Sequence, residues 1–94
     1  MFALLLRLRN DRKWGYWSGN IHKFGFDGKV LIPSLITTPD MSYIQTYETV
    51  EEVHSSADEL SKQLASGWDI SGVELLTGDV IFTIKSRGKS GFEK

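Results

Sequence analysis

His22 and His54 are the only histidines of the chain, 32 positions apart, and they form no ligand-spaced pair. A structural zinc site draws four ligands from closely spaced pairs, so no metal is expected. The sequence has no cysteine, which removes disulfides, thiolate ligands and thiol nucleophiles together. Serines and aspartates are plentiful, but no G-x-S-x-G elbow and no H-E-x-x-H helix is present, so neither an activated serine nor a metallohydrolase centre is indicated. Gly88-Lys89-Ser90 imitates the end of a phosphate-binding loop. It lies in a terminal stretch with no helix after it, and the phosphate cradle needs that helix. The expectation is a non-enzymatic protein with no catalytic residues and no cofactor.

Two other groups of residues have the types and spacing that binding needs. Glu48, Glu51, Glu52, Asp58 and Glu59, placed on a helical wheel, span roughly 120° opposite an apolar stripe. Five carboxylates on one face present a negative surface that fits a basic surface of a partner protein. On a solvated helix face they would not serve as general acids. The second group is Arg7, Arg9, Arg12, Lys13, Trp14, Tyr16 and Trp17. Cations interleaved with rings are what a single nucleic-acid strand requires, since bases stack on the rings while cations hold phosphates. A solvated outer helix face and a hydrated sheet face are the structural alternatives to these two readings.

The charge distribution gives both groups their interest. The formal net charge is −1, too acidic for a dedicated nucleic-acid binder. It is unevenly spread: residues 1–29 sum to +4, residues 30–61 to −6 with no Lys or Arg, and residues 62–94 to +1. A protein partner is therefore expected ahead of a nucleic acid, with a homodimer as a further possibility.

The elements that must position these residues follow from periodicity. Leu4, Leu6 and Leu8 alternate with Leu5, Arg7 and Arg9, the pattern of a half-buried strand. Asn10 to Lys13 reads as a polar turn, and Trp14 to Ser18 as the returning strand, with Gly15 marking a bulge or a close backbone approach. Residues 19–28 read as a loop with Phe24 and Phe26 tucked inward and a turn at Asp27-Gly28. Lys29 to Ile32 forms a third strand that Pro33 ends or confines to an edge, residues 33–42 read as irregular, and Tyr43 to Tyr47 is a candidate fourth strand.

Thr49 and Glu52 have capping-box spacing, and Val50, Val53, Ala57, Leu60 and Leu64 recur every three or four residues. This predicts a helix over about 50–65, with Gly67 as its left-handed cap. Trp68 to Leu76 and Val80 to Lys85 flank a Thr77-Gly78-Asp79 turn, a hairpin signal. Along the last strand Val80, Phe82 and Ile84 are expected on one face, Ile81 and Thr83 on the other.

The fold class is thus α+β: a small antiparallel sheet of about five or six short strands, in the order β-β-β-(β)-α-β-β, with one amphipathic helix on a face. One domain spans 1–85, and 86–94 reads as a flexible C-terminal tail. The opening apolar run, Met1 to Leu6, is too short for a secretory h-region and lacks a preceding cation. No window approaches the ~20 apolar residues of a membrane span. With no cysteine, a soluble cytoplasmic protein is expected. The layout, with short hairpins, then Y-x-T-x-E-E opening one helix, then a terminal hairpin, resembles many short proteins of bacteria and their phages. Among these are small inhibitors of host machinery such as anti-CRISPR proteins. The resemblance implies a phage or mobile-element inhibitor that blocks a partner protein, and it assigns no role to any residue.

Overall fold

The alternation at the start of the chain is realised as the central strand of the sheet. In the computed structural model, which describes residues 1–9, 12–26, 28, 30–38 and 40–87, the elements are β1 (Phe2–Leu8), β2 (Trp14–Phe24), β3 (Val30–Ile36), β4 (Thr46–Tyr47), α1 (Val50–Gln63), β5 (Trp68–Glu74) and β6 (Val80–Lys85). The strands form one antiparallel sheet in the order β3-β2-β1-β5-β6, with the short β4 paired to the start of β1. This is the expected α+β architecture, a single helix packed on one face of the sheet.

Leu4 and Leu6 point to the helix side and are fully buried with Trp17, Trp68 and Ile70 under Val53, Ala57, Leu60 and Leu64 of α1. Ala3 points the other way and is also buried, against Ile44 and Val73. β1 is therefore covered on both faces over its first half, which is why it reads as a nearly continuous apolar run. Only Arg7 breaks that run, where the second cover ends.

The helix follows its sequence signals at the start. Thr49 Oγ1 accepts from Glu52 N at 3.1 Å, and Glu52 Oε1 accepts from Thr49 N at 3.3 Å and Glu48 N at 3.1 Å, so the capping box is complete. Val50, expected in the apolar stripe, is exposed in the first turn. The C-cap is Leu64, whose N–H donates to Leu60 O at 3.0 Å. Gly67 does adopt a left-handed φ of 118°, but it does so three residues later, in the turn into β5, where its carbonyl accepts from Arg9 N at 2.8 Å.

Four expectations give way to tertiary structure. Phe24 and Phe26 are exposed rather than tucked inward. β2 continues through the predicted loop to Phe24, bulging between Trp17 and Ile21, and pairs with β3 as a ribbon running on past its pairing with β1. Gly19, at φ 93°, makes that bulge, and Gln45 N donates to Trp17 O at 2.9 Å where β4 takes the place of β2 beside β1. Residues 33–36 are strand and not irregular: β3 runs through Pro33 to Ile36, and Pro33 sits on an edge strand, one of its two expected positions. Val80 lies across a bulge from Phe82 and pairs with Val73. It reaches the face opposite the helix, where it borders a hollow with Leu5, Ser71 and Thr83.

Ser86 and Arg87 belong to the folded domain and not to a tail. Ser86 is 3% exposed, donates from Oγ to Ala65 O at 2.6 Å and accepts there from Trp68 N at 3.0 Å, while Arg87 N donates to Ser61 O at 2.8 Å. Ser86→Ala removes the partner of the buried Trp68 N–H and of the part-buried Ala65 carbonyl. It is expected to cost about 1–3 kcal/mol, read as a lower urea midpoint at unchanged slope. The turn residues Asn10, Asp11 and Asp27, with Lys29, Pro39 and 88–94 (including Gly88-Lys89-Ser90), lie outside the described residues.

Candidate functional site

A shallow groove lies between β4 and the first three turns of α1. Gln45, Tyr47, Glu48, Glu51, Glu52, Ser55, Ser56 and Glu59 border it. Four of the five predicted carboxylates are brought together here, including Glu48, which precedes the helix. Glu52 is committed to the capping box, so Glu48, Glu51 and Glu59 supply the charge that faces outward. Tyr47 forms the floor: its hydroxyl lies 2.6 Å from Ser56 Oγ. Burial pushes the Tyr47 phenol above its ordinary range, and hydrogen bonds from Ser56 and Trp17 partly oppose this, so the floor stays neutral at physiological pH.

Asp58 does not join them. Its carboxylate is 3.3 Å from Lys62 Nζ, an exposed i,i+4 pair that salt screens and that contributes little. Asp58 faces a different hollow, shared with Ser61, Ile84, Lys85 and Arg87. The wheel placed all five acids on one arc, but an arc does not say which neighbouring strand lies beside each turn.

The basic-aromatic set is divided by the pleat of the sheet. Trp17 points to the helix side and is 7% exposed within the main core, so it offers no ring to a ligand. Arg7, Trp14 and Tyr16 are on the opposite face, where Trp14 is 46% exposed and Tyr16 is half-buried beside Leu5 and Ile36. Arg7 is paired with Trp14 on β2 and with Asp69 on β5, and Asp69 with Lys85 on β6. One row thus crosses four strands as Trp14-Arg7-Asp69-Lys85. The next row is Tyr16-Leu5-Ser71-Thr83, in which Ser71 Oγ and Thr83 Oγ1 are 2.8 Å apart. Arg9 Nε lies 3.2 Å from the buried Oδ1 of Asp69, an ion pair off hydrogen-bond alignment. Arg12 and Lys13 are exposed where the chain enters β2. Sequence reasoning missed Lys85, Ser71 and Thr83, because only strand register brings them beside Arg7.

The register also sorts charge along the domain. Glu48, Glu51 and Glu52 gather beside the Phe2 end of β1, with Glu74 opposite Phe2. Arg9, Lys13, Lys62, Lys85 and Arg87 gather at the Leu8 end, where Asp58 and Asp69 lie among them. Glu74 is answered locally: the Met1 amino group lies 2.9 Å from Oε2 and Leu76 N donates to Oε1 at 2.6 Å. The amino-group bond first, then the backbone donor, hold its carboxyl below the ordinary carboxylate range.

The two histidines are apart. His54 lies on the outer surface of α1 with its ring 4.8 Å from Phe82, and His22 is on the β2–β3 ribbon near Phe24. Among the described residues no three His, Asp or Glu side chains gather as a metal site. No helix among them is long and apolar enough to cross a membrane. Comparison with known protein families, curated proteins and solved structures finds no match.

Proposed function

We propose that this domain is a non-enzymatic binding module that acts by occupancy, docking a basic surface of a partner protein into the acidic groove. The observation that carries the reading is the unbalanced charge of that groove. Glu48, Glu51 and Glu59 border it with no Lys or Arg among its described lining residues, while the cations collect at the other end of β1. A surface with no binding role ordinarily intersperses both signs. Single-sign fields steer an oppositely charged partner and fix its orientation, and the neutral Tyr47 floor gives such a partner an amphipathic ring to cover.

A partner whose basic surface holds nucleic acid would be inhibited by such docking, the role implied by the resemblance to small phage inhibitors. The test uses two immobilised baits, the wild-type domain and a Glu51→Lys, Glu59→Lys double variant. Both positions are exposed, but Glu51 is in the first turn of α1, where a cation opposes the helix dipole, so the variant should lose about 1 kcal/mol and still fold. Proteins with basic surfaces retained by the wild type should be lost from the variant. Equal retention by the two baits sinks the proposal.

A further inference from the structure

The helix-free face of the sheet carries a second arrangement of side chains, independent of the acidic groove. Over the Ala3 end of β1 this face is roofed by Ile44; over the Arg7 end it is open. There Trp14 keeps 46% of its surface in water, although tryptophan is highly buried on average. It packs in neither buried cluster. Arg7 is its cross-strand neighbour and Tyr16 follows two residues along the same strand, on the same face. Side chains across neighbouring strands stand about 5 Å apart, and those at i and i+2 about 7 Å. Two rings and a guanidinium therefore occupy adjoining positions on one surface.

Charge on this face is positive. Arg7 and Lys85 enter no ion pair among the described residues, and Asp69, the one acid in the row, is already matched by Arg9 at 3.2 Å. The carboxylates of the groove are at the other end of β1. Tyr16 is half-buried between Leu5 and Ile36, so Trp14, with Arg7 as its cross-strand neighbour, carries most of the exposed ring surface. We propose that this open face is a stacking platform for single-stranded nucleic acid, with Trp14 and Tyr16 under the bases and Arg7 and Lys85 on the phosphates. Bases in a duplex hide the faces that would stack on rings, so single strands are the ligand. The proposal does not depend on the acidic groove, and either can fail alone.

The experiment is a fluorescence-anisotropy titration of the whole domain with labelled oligothymidylate and oligouridylate of about 16 nucleotides, and with a duplex of equal length. Salt is set at about 50 mM and then about 200 mM, since phosphate contacts are strongest at low salt. The wild type should bind the single strands in preference to the duplex. Trp14→Ala should weaken binding about tenfold, the loss expected for one stacked base. Arg7→Gln should lower the dependence of log affinity on log salt by about one. Phe26→Ala, which removes an exposed ring from the distant end of the ribbon, should change nothing. Because Trp14 is exposed and packs in neither cluster, the variant should keep its circular dichroism spectrum and melting point. No binding at low salt overturns the proposal. So does equal affinity for duplex, or equal loss in Trp14→Ala and Phe26→Ala. A protein retained by wild-type bait and lost from Trp14→Ala bait, with oligonucleotides unbound, would reassign the face to a protein.

Discussion

Replacing Leu6 by alanine is expected to lower the melting temperature by about 10–20 °C, because it removes about 2–4 kcal/mol. Leu6 is fully buried in the middle of β1 and belongs to the core cluster that joins α1 to the sheet. Its loss removes transfer free energy and leaves a cavity that the paired strands on either side cannot close. A domain of this size has only about 5–15 kcal/mol of stability, so the change is a large share of the total. In urea the midpoint should fall with little change in slope. Leu76→Ala is the matched control: Leu76 is 91% exposed in the β5–β6 turn, and its truncation should stay within about 0.5 kcal/mol. Similar costs for the two variants would place the core elsewhere.

Gly15→Ala is expected to destabilise by about 1–3 kcal/mol, although alanine ordinarily suits a strand better than glycine. The reason is space, not backbone conformation, since Gly15 has no positive φ. A Cβ at this position would lie 2.7 Å from Leu35 Cβ, 3.2 Å from Ile36 O and 3.3 Å from Ile36 N. These are the backbone of β3 and the root of a side chain, so no change of rotamer relieves the clash. β3 has to move off β2, and with it the edge of the sheet. Gly72→Ala is the comparison. A Cβ there meets the ring of Phe82, which packs on the core beside His54, and no backbone atom is among its nearest contacts. Thermal melts should rank Gly15→Ala below Gly72→Ala, and the reverse order would contradict the close approach of β2 and β3.

What the sequence disclosed is what local chemistry decides. Thr49 and Glu52 are three residues apart, and their reciprocal hydrogen bonds form within one turn, so the helix start was legible. β1 and the Gly78 turn were legible for the same reason. The first half of the returning strand was too, and Gly15 is indeed a point of close approach. What depended on distant partners was not legible. Trp14 and Trp17 look alike in the sequence, yet β1 and α1 place one in water and the other in the core. Val80 changes face because a single bulge opposite Val73 shifts the period of β6. Phe24 and Phe26 were expected inside because aromatic residues usually are, but the β2–β3 ribbon extends beyond anything that could cover them.

The candidate sites divided in the same way. Glu48, Glu51, Glu52 and Glu59 border one groove, Glu48 from before the helix cap, while Asp58 pairs with Lys62 and faces the end of β6. Lys85, Ser71 and Thr83 could be joined to Arg7 only through the register of four strands. The Ser86 hydroxyl could be assigned to the domain only once Trp68 and Ala65 were seen beside it.

On the proposed reading, a partner protein docks in the acidic groove. The most direct measurement is amide chemical-shift mapping of the labelled domain with a basic protein that the wild-type bait retains and the Glu51→Lys, Glu59→Lys bait does not. The perturbed amides should concentrate at Gln45 to Ser56 and at Glu59, and they should recover when salt is raised. Perturbations centred instead on Leu5, Arg7, Trp14 and Thr83, or spread evenly over the surface, would rule out docking in the groove.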